Sequence, residues 1–444
     1  MSIFKAYDIR GVFPDELDVG DAHRIGRAYA RLTGAGEVAV GRDARVSSPA
    51  LREALVRGLT EEGRDVVDLG LVATPMLYFA VDHHGLAGGV MITASHNPGR
   101  YNGFKVCREH AVPVGEDSGL REIQQESAGL DGVGPGDGTV RSLDVTAGYV
   151  DHVLAVGHER PRLRVAIDCG NGMAGVSLEP LLERLPLEVE RLYFEPDGRF
   201  PNHPADPLDA ANLEDLRQAV RRVGADFGVA FDGDADRAIF VDEHAEVIPA
   251  DLVTALLARG QLRTRPGGRV LYDLRSSWAT AEAIRAEGGV PEMCRVGHSF
   301  VKAQMREQEA IFAGELSGHF YFRFSPTLVA DDGLAAFVAL LDVLGREGRS
   351  LSELVAPLRR YFASGEISLR VKDPKALVEA VAAEHQGARE VSRLDGLLVR
   401  YEDWWFNLRP SNTEPVLRLN LEARHRERMV EERDRLVARM EAAA

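Results

Sequence analysis

Short apolar segments alternate with longer amphipathic segments along most of the chain before Phe362. The segments at 38–43 (VAVGRD) and 65–72 (DVVDLGLV) predict two short strands. Between them, leucines four residues apart predict a helix, which Ser48 is expected to cap and Gly63 to end. A strand, a helix and a second strand in this order predict a βαβ unit with parallel strands.

Similar strand exits recur twice further along the chain, at 165–172 (VAIDCGNG) and 270–277 (VLYDLRSS). With the first strand exit, each places an aspartate directly after a short apolar strand; these aspartates are Asp43, Asp168 and Asp273. The recurrence favours three related α/β domains. The carboxyl ends of their strands are where α/β sheets hold ligands.

The pattern changes after Phe362. Four strand-like segments follow (EISLRV, GLLVRY, WWFNLRP and VLRLNLEA), with a helix predicted at 375–384 and another from about residue 425 to the end. This pattern is typical of a smaller α+β domain. At roughly 100 to 200 residues per domain, a chain of 444 residues fits about three or four domains.

Charge and composition narrow the class of partner. The chain has 69 acidic and 53 basic residues and a formal charge of -16, which argues against nucleic acid because its phosphates are repelled on average. The three cysteines Cys107, Cys169 and Cys294 are far apart, so we expect reduced thiols. No apolar run approaches the ~20 residues of a membrane span and the N-terminus lacks a signal-peptide core, so we expect a cytoplasmic protein.

The segment VMITASHNPGRYNGFKV at 90–106 contains the first candidate site. Val90 to Ile92 predict a buried strand that the Asn-Pro and Asn-Gly pairs end in turns, which places Ser95 on a strand-exit loop. A serine hydroxyl is a weak nucleophile without a base or metal, and adjacency alone does not make His96 a triad base. No G-x-S-x-G elbow surrounds the serine, which disfavours an α/β-hydrolase. Lys105, beyond the predicted turn, is in a position typical of surface lysines.

Three aspartates at alternate positions, Asp232, Asp234 and Asp236, lie between two apolar segments. Such carboxylates repel one another unless a hard divalent cation lies among them. A solvated acidic turn is the alternative. Glu243 stands at the twelfth position of an EF-hand count, but Arg237 occupies the sixth, where that loop needs glycine.

Two further loops carry candidate ligands. RPSNTEPVLR at 409–418 supplies a guanidinium, hydroxyls, an amide and backbone N–H groups that can wrap a phosphate, with a plain turn as the alternative. GELSGHF at 314–320 offers an acidic side chain to sugar hydroxyls, although an isolated acidic residue is usually exposed to solvent. The residues are Arg409, Ser411, Asn412, Thr413, Glu315, Ser317 and His319, and the N-terminal FKAYDIRG adds Tyr7 and Arg10.

Together these segments resemble the α-D-phosphohexomutases, most closely their bacterial phosphomannomutase/phosphoglucomutase branch. The matching segments occur in family order from residue 5 to 415: KAYDIRG, GRDAR, TASHNPGRYNGFK, DCGNG, FPNHPADP, FDGDADR, GHSFVK, GELSGH and RPSNTEP. The resemblance implies three related α/β domains with mixed sheets and a smaller, mobile C-terminal α+β domain around a central cleft. The corresponding bounds are 1–152 (phosphoserine loop), 153–250 (metal loop), 251–364 (sugar loop) and 365–444 (phosphate binding).

The resemblance also implies roles. Ser95 carries a phosphate in the active enzyme, and an oxygen of that phosphoserine and the three aspartates hold Mg²⁺. The enzyme moves phosphate between O1 and O6 of mannose or glucose through a hexose 1,6-bisphosphate, either glucose 1,6-bisphosphate or mannose 1,6-bisphosphate. Arg10 assists transfer, and either Lys105 or His96 is the general acid/base that handles the proton of the sugar hydroxyl. Hexose phosphates are the expected partners, and no oligomeric state is predicted. The substrate-binding residues implied are Tyr7, Arg237, Arg275, His298, Glu315, Ser317, His319, Arg409, Ser411, Asn412 and Thr413.

Three residues depart from the family pattern. Ala235 stands where glycine is frequent, Arg275 where lysine is frequent and Val296 where threonine is frequent. Ala235 alters the metal loop if that position needs a positive φ. Two alternatives to the assigned activity are a phosphoglucosamine mutase, against which GELSGH and KAYDIRG count, and a sugar-phosphate-binding protein that has lost turnover.

Overall fold

The computed structural model describes residues 2–410 and 416–443. The chain first forms a six-stranded sheet in the order β1-β5-β4-β2-β3-β6, in which β5 runs antiparallel to both β1 and β4 while the other pairs are parallel. Its elements are β1 (Ile9–Val12), α1 (Val19–Leu32), β2 (Val38–Arg42), α2 (Ser48–Glu61), β3 (Val66–Leu71), α3 (Thr74–His83), β4 (Gly88–Ile92), β5 (Tyr101–Arg108), α4 (Leu120–Ser127) and β6 (Val140–Ser142).

A second sheet follows in the order β10-β9-β7-β8, with only the β10–β9 pair antiparallel. Its elements are α5 (Thr146–Leu154), β7 (Arg164–Asp168), α6 (Ala174–Leu182), β8 (Glu188–Leu192), α7 (Glu214–Val223), β9 (Phe227–Phe231) and β10 (Ala238–Asp242).

The third sheet has the order β12-β11-β13-β14-β15, parallel up to β13 and antiparallel beyond it. Its elements are α8 (Ala250–Thr264), β11 (Arg269–Asp273), α9 (Trp278–Ala286), β12 (Val290–Cys294), α10 (His298–Glu307), β13 (Phe312–Gly314), β14 (Phe320–Arg323), β15 (Val329–Asp331), α11 (Gly333–Glu347) and α12 (Leu351–Val355). Short 3-10 turns lie at Glu109–Ala111, Glu116–Ser118, Ala210–Leu213 and Ala356–Leu358.

The last sheet is antiparallel, in the order β16-β21-β20-β19-β18 with β17 also paired to β21. Its elements are β16 (Phe362–Ala363), β17 (Ile367–Arg370), α13 (Pro374–Glu384), β18 (Glu390–Ser392), β19 (Leu397–Arg400), β20 (Trp404–Pro410), β21 (Val416–Ala423) and α14 (Arg426–Glu441). Both predicted helices of this region are present.

The first three sheets share one strand pattern. In each, a central strand (β2, β7 or β11) lies between two parallel neighbours, and one neighbour (β4, β9 or β13) turns back into an antiparallel strand. Asp43, Asp168 and Asp273 each lie at or just after the end of the central strand. The fold therefore confirms three related α/β domains with mixed sheets and a distinct C-terminal domain.

The hydrophobic cores connect the domains unequally. One buried cluster runs through the first three domains, from Met76 on α3 through Phe227 on β9 to Phe337 on α11. The C-terminal domain has its own core around Trp404 and Phe406. The predicted domain bounds stay predictions, and the bound after residue 152 falls inside α5.

Two local predictions were wrong. Ser48 is the first residue of α2, after an N-cap at Ser47, and its hydroxyl donates to Asp43 Oδ1 (2.5 Å). Asn102 and Gly103 lie inside β5 because that strand pairs with β1 and β4 along its length. Among the described helices, none is long and apolar enough to cross a membrane.

Candidate active site

The loop that leaves β4 carries Ser95, as predicted. Its side chain is buried, and its backbone has φ of 50°, a left-handed conformation that costs a non-glycine residue energy. The hydroxyl donates to Asp232 Oδ2 (2.8 Å) and lies 3.2 Å from His96 Nδ1. A Cβ on Gly233 would lie 2.4 Å from the Ser95 carbonyl oxygen, so glycine is required where the two loops meet.

The three aspartates after β9 converge beside this serine. Asp232, Asp234 and Asp236 are all buried, and one oxygen of each lies within 4.8 Å of the others. Burial, together with the charges of Asp236 and Asp234, raises the pKa of Asp232 well above its usual range. Within the described residues, Asp234 Oδ1 and Asp236 Oδ1 have no hydrogen-bond partner. Buried, unpartnered carboxylate oxygens fit a hard divalent cation, which takes oxygen ligands.

Lys105 lies among these carboxylates, not on the surface. Its ammonium is 2.6 Å from Asp234 Oδ2 and also donates to Asp236 Oδ2. The prediction of a surface lysine was wrong because Lys105 is on β5, whose alternate side chains point to opposite faces of the sheet. Burial favours the neutral amine, but the charges of Asp234 and Asp236 outweigh it and raise the pKa of Lys105.

Ala235 adopts φ of 63°, the left-handed conformation for which glycine is the usual residue. The departure from the family pattern noted at this position therefore falls on a residue that does need a positive φ. The strain costs on the order of 1 kcal/mol relative to glycine. The loop retains its shape because Ala235 is buried and its N–H donates to the Asp232 carbonyl oxygen (3.1 Å).

Arg10 and His96 complete the surroundings of the serine. Arg10 Nη1 donates to Asn97 Oδ1 (2.6 Å), and its other terminal nitrogen donates to Asp8. The positive charge of Arg237, with burial and Arg10, lowers the pKa of His96 far below its usual range. The surrounding positive charge therefore favours the neutral imidazole and weakens it as a base.

The loop after β13 presents Glu315, which is buried and not solvent-facing. Its Oε1 accepts from the Gly297 N–H (2.7 Å), and its Oε2 accepts from the Tyr321 hydroxyl. Ser317 Oγ lies 2.9 Å from His319 Nδ1. Glu315, Ser95 and Asp232 occupy equivalent places in their domains, since each follows the strand that turns back antiparallel.

His319 and His298 lie close to these loops. His319 Nε2 is 3.4 Å from Asp236 Oδ1 and 3.3 Å from Arg237 Nε, which links the sugar loop to the aspartate loop. The ring of His298 lies 5.7 Å from that of Tyr7, and burial lowers the pKa of His298.

A separate group of positive charges lies where the third and fourth domains meet. We call Arg275, Arg409 and Arg418 the arginine cluster. Arg409 and Arg418 are directly opposite on β20 and β21, and Arg275 Nη1 and Arg418 Nη1 each lie 3.3 Å from a Glu366 carboxylate oxygen. Burial and the charge of Arg275 lower the pKa of Arg409. The predicted ligands Ser411, Asn412 and Thr413 lie outside the described residues.

Arg275 connects this cluster to the sugar loop. Its guanidinium donates to Asp273 Oδ2 (2.7 Å), and the same oxygen accepts from the Leu316 N–H (2.7 Å), next to Glu315. The predicted residues thus form two groups, one around Ser95 and one around Arg409, with Arg275 between them.

Sequence reasoning did not assign three residues that contact these loops. Thr74 Oγ1 donates to Asp234 Oδ2 (2.5 Å), Arg45 donates to the Ser95 loop, and Glu366 lies within the arginine cluster. The GRDAR segment was a signal for Arg45. Thr74 and Glu366 had none, because their contacts join distant parts of the chain.

This architecture, with a buried hydroxyl beside an acidic cluster on one side and clustered arginines on the other, defines a class of α/β enzymes suited to phosphoryl transfer. Four family models match consecutive parts of the chain. They are the phosphoglucomutase/phosphomannomutase alpha/beta/alpha domain I (residues 1–131), domain II (147–245), domain III (249–361) and C-terminal domain (366–439). The chain belongs to the phosphoglucomutase/phosphomannomutase family and is an isomerase of the phosphohexomutase type.

Relatives match along almost the whole chain. Phosphohexose mutases of Xanthomonas campestris pv. campestris are 42% identical over 98% of both chains. A phosphomannomutase of Escherichia coli is 40% identical over 96% of this chain and 95% of its own. The crystal structure of a phosphoglucomutase/phosphomannomutase family protein from Burkholderia thailandensis superposes with a TM-score of 0.91 at 36% identity, covering 99% of this chain and 97% of that one.

Proposed function

We propose that this enzyme interconverts hexose 1-phosphate and hexose 6-phosphate, with mannose or glucose as the sugar, through a phosphoserine at Ser95 and a hexose 1,6-bisphosphate. The observation that carries the proposal is the 2.8 Å contact between Ser95 Oγ and Asp232, the first of three clustered carboxylates, of which Asp234 and Asp236 each have an unpartnered oxygen among the described residues. A phosphate on Ser95 would lie where a cation held by these carboxylates could bind it. We place the reaction in the cytoplasm, with free hexose phosphates as partners.

Asp232, Asp234, Asp236 and a phosphoserine oxygen are the proposed ligands of Mg²⁺, which supplies charge neutralisation for the transferring phosphoryl group. Arg10 on β1 donates to Asn97 of the Ser95 loop (2.6 Å) and so adds positive charge beside the transferring phosphoryl group. In the first transfer, the bond between phosphorus and Ser95 Oγ breaks and a bond to the free sugar hydroxyl forms. The bisphosphate then turns over and returns its other phosphoryl group to Ser95.

The attacking hydroxyl must lose a proton and Ser95 Oγ must gain one. His96 is the candidate to accept a proton on geometric grounds, because its Nδ1 lies 3.2 Å from Ser95 Oγ. Lys105 is suited to donate one because the neighbouring aspartates keep it protonated. The return transfer reverses both steps.

The loop that carries Glu315 and the loop that follows Arg409 are proposed to bind the sugar and its unreactive phosphate. Glu315 and Ser317 are proposed to hold two ring hydroxyls, O3 and O4, which exchange places when the sugar turns over. A site that ignores C2 accepts both glucose and mannose. The unreactive phosphate is assigned to Arg409, Ser411, Asn412 and Thr413, and supporting contacts to Tyr7, Arg237, Arg275, His298 and His319.

A coupled assay tests the proposal. Glucose 1-phosphate and mannose 1-phosphate are supplied with Mg²⁺ and a trace of glucose 1,6-bisphosphate, and formation of the 6-phosphate is followed. We expect turnover of at least one sugar that stops when EDTA removes the metal. Absence of turnover with both sugars, together with turnover of glucosamine 1-phosphate, would instead identify a phosphoglucosamine mutase.

A further inference from the structure

Arg45 makes several hydrogen bonds to the Ser95 loop, although it has no assigned role in the proposed reaction. It follows β2, is 1% exposed, and directs its guanidinium into the Ser95 loop. Its Nη2 donates to the carbonyl oxygens of Ser95 (2.8 Å) and Asn97 (2.6 Å), its Nη1 donates to those of Pro98 (2.8 Å) and Tyr101 (2.9 Å), and its Nε donates to Asp43 Oδ2 (3.0 Å).

These hydrogen bonds supply donors to carbonyl groups of the Ser95 loop. Ser95 has a left-handed backbone and a buried carbonyl group that needs a donor, and the Asn97 carbonyl is partly buried, whereas the Pro98 carbonyl also accepts from the Tyr101 N–H (2.9 Å). A planar guanidinium offers five N–H groups in a fixed fork, whereas a lysine ammonium offers three donors from one point. Arg45 can therefore fix the directions of four carbonyl groups at once.

Residues of the second domain pack against the Arg45 side chain and backbone. The ring centroid of Phe200 lies 5.1 Å from the Arg45 guanidinium carbon, within the range of a cation–π contact. A Cβ on Gly198 would lie 2.2 Å from the Arg45 Cα, so the loop at 195–207 packs directly on the arginine. Asp232, the partner of the Ser95 hydroxyl, belongs to the same domain.

We propose that Arg45, covered by Phe200, is a positioning residue that holds Ser95 in its left-handed conformation and directs Oγ towards Asp232. This inference rests on the proposed function, because it concerns the rate at which Ser95 accepts and donates a phosphoryl group. A displacement of about 1 Å at a reacting atom can lower a rate by about 100-fold. The loss is expected in kcat, since Arg45 contacts the loop and not the groups assigned to the substrate.

The test uses Arg45→Lys in the full chain. Phosphorylation of Ser95 by glucose 1,6-bisphosphate is followed by intact mass in quenched samples, alongside kcat, KM and Tm. We expect phosphorylation and kcat to fall by about 100-fold while KM changes by less than about threefold. A wild-type kcat, or equal proportional changes in kcat and KM, would overturn the inference.

Two further variants keep the test decisive if Arg45→Lys does not fold. Phe200→Leu keeps an apolar side chain but removes the ring from the guanidinium, and we expect kcat to fall by about threefold, the size of a cation–π contribution, with KM unchanged. A wild-type kcat in Phe200→Leu counts against the inference.

Arg42→Lys is the matched control. Arg42 is also an arginine at the end of β2, but its guanidinium donates to the Asp43 carbonyl (3.3 Å) and not to the Ser95 loop. If the wild-type protein itself is not phosphorylated on Ser95, the proposed function fails instead.

Discussion

The two ends of the candidate active site have opposite charge imbalances. Around Ser95, three buried aspartates lie against two cationic side chains, Lys105 and Arg237. In the arginine cluster, three guanidiniums share Glu366 as a common neighbour, and Arg275 is also paired with Asp273. The first group lacks positive charge and the second lacks negative charge. One end is therefore suited to bind a cation beside the reacting phosphate, and the other is suited to bind an anion.

The two ends also differ in how firmly they are held. The Ser95 and aspartate loops extend from domains that share one continuous core, and Arg45, Thr74 and Gly233 join them at close range. The C-terminal domain meets the third domain through a small apolar cluster of Leu274, Leu398 and Trp405. We predict that the anion-binding end moves relative to the reacting end, as the family resemblance implies for the fourth domain.

The largest expected effect follows from Ser95→Ala. Removal of the only hydroxyl assigned to carry the phosphoryl group is expected to lower kcat by several orders of magnitude, about 10⁴-fold or more, while the fold persists. The coupled assay measures the loss. Ser142→Ala, on the exposed β6, is the control and should match the wild type. Turnover of Ser95→Ala near the wild-type rate would contradict the assignment of the nucleophile.

Arg409→Ala tests the other end. Loss of charge-assisted hydrogen bonds worth roughly 1.5 to 3 kcal/mol is expected to raise KM by about 10- to 100-fold and to change kcat much less. Steady-state kinetics separates the two parameters. Arg393→Ala, a surface arginine of the same domain paired with Glu379, should leave KM unchanged. A fall in kcat alone would place Arg409 at the reacting end and remove the distinction between the two ends.

A smaller effect is expected from Glu366→Gln. The substitution removes the carboxylate that lies 3.3 Å from both Arg275 and Arg418, so an added anion meets less competition. Because this group is partly exposed, the gain is limited to about 1 kcal/mol. Inorganic phosphate should inhibit the variant at concentrations up to about fivefold lower than the wild type. Unchanged or weaker inhibition, with Glu379→Gln as the control, would show that Glu366 does not compete for the cluster.

The smallest effect concerns stability. Burial raises the pKa of Glu422 to about 7, and its Oε2 accepts from the Trp278 N–H (3.0 Å) across the junction of the third and fourth domains. Because its folded pKa lies above its unfolded value of about 4.5, the protein is most stable below pH 4.5 with respect to this group and loses that stability as pH rises through 7.

Glu422→Gln imitates the protonated carboxyl. We expect its Tm to match the wild type at pH 4 and to exceed it by a few degrees at pH 8.5, as measured by thermal unfolding at both values. A lower Tm for the variant at both values would mean that the ionised carboxylate stabilises the junction.

Sequence patterns predicted those features of the reacting end that depend on residues close together in the chain. The spacing of the three aspartates predicted a cation site, and the turn residues around Ser95 predicted a strand-exit loop. Lys105 was misplaced because Asn102 and Gly103 favour a turn locally, whereas pairing with β1 and β4 keeps them in a strand. Tertiary pairing therefore overrode local propensity at that point.

The contacts of Arg45 and Glu366 were beyond sequence patterns for a different reason. Arg45 binds carbonyl groups about fifty residues away, which any residue type could supply. Glu366 gains its role only when the third and fourth domains meet, so no local pattern distinguishes it from a surface glutamate.

The most direct test of the central claim is the mass of Ser95. The protein is incubated with glucose 1,6-bisphosphate and Mg²⁺, digested, and examined by mass spectrometry. We expect one added phosphate on the peptide that contains Ser95, removed again by excess hexose monophosphate as hexose bisphosphate forms. An enzyme that turns over hexose phosphates while Ser95 stays unmodified throughout would contradict it.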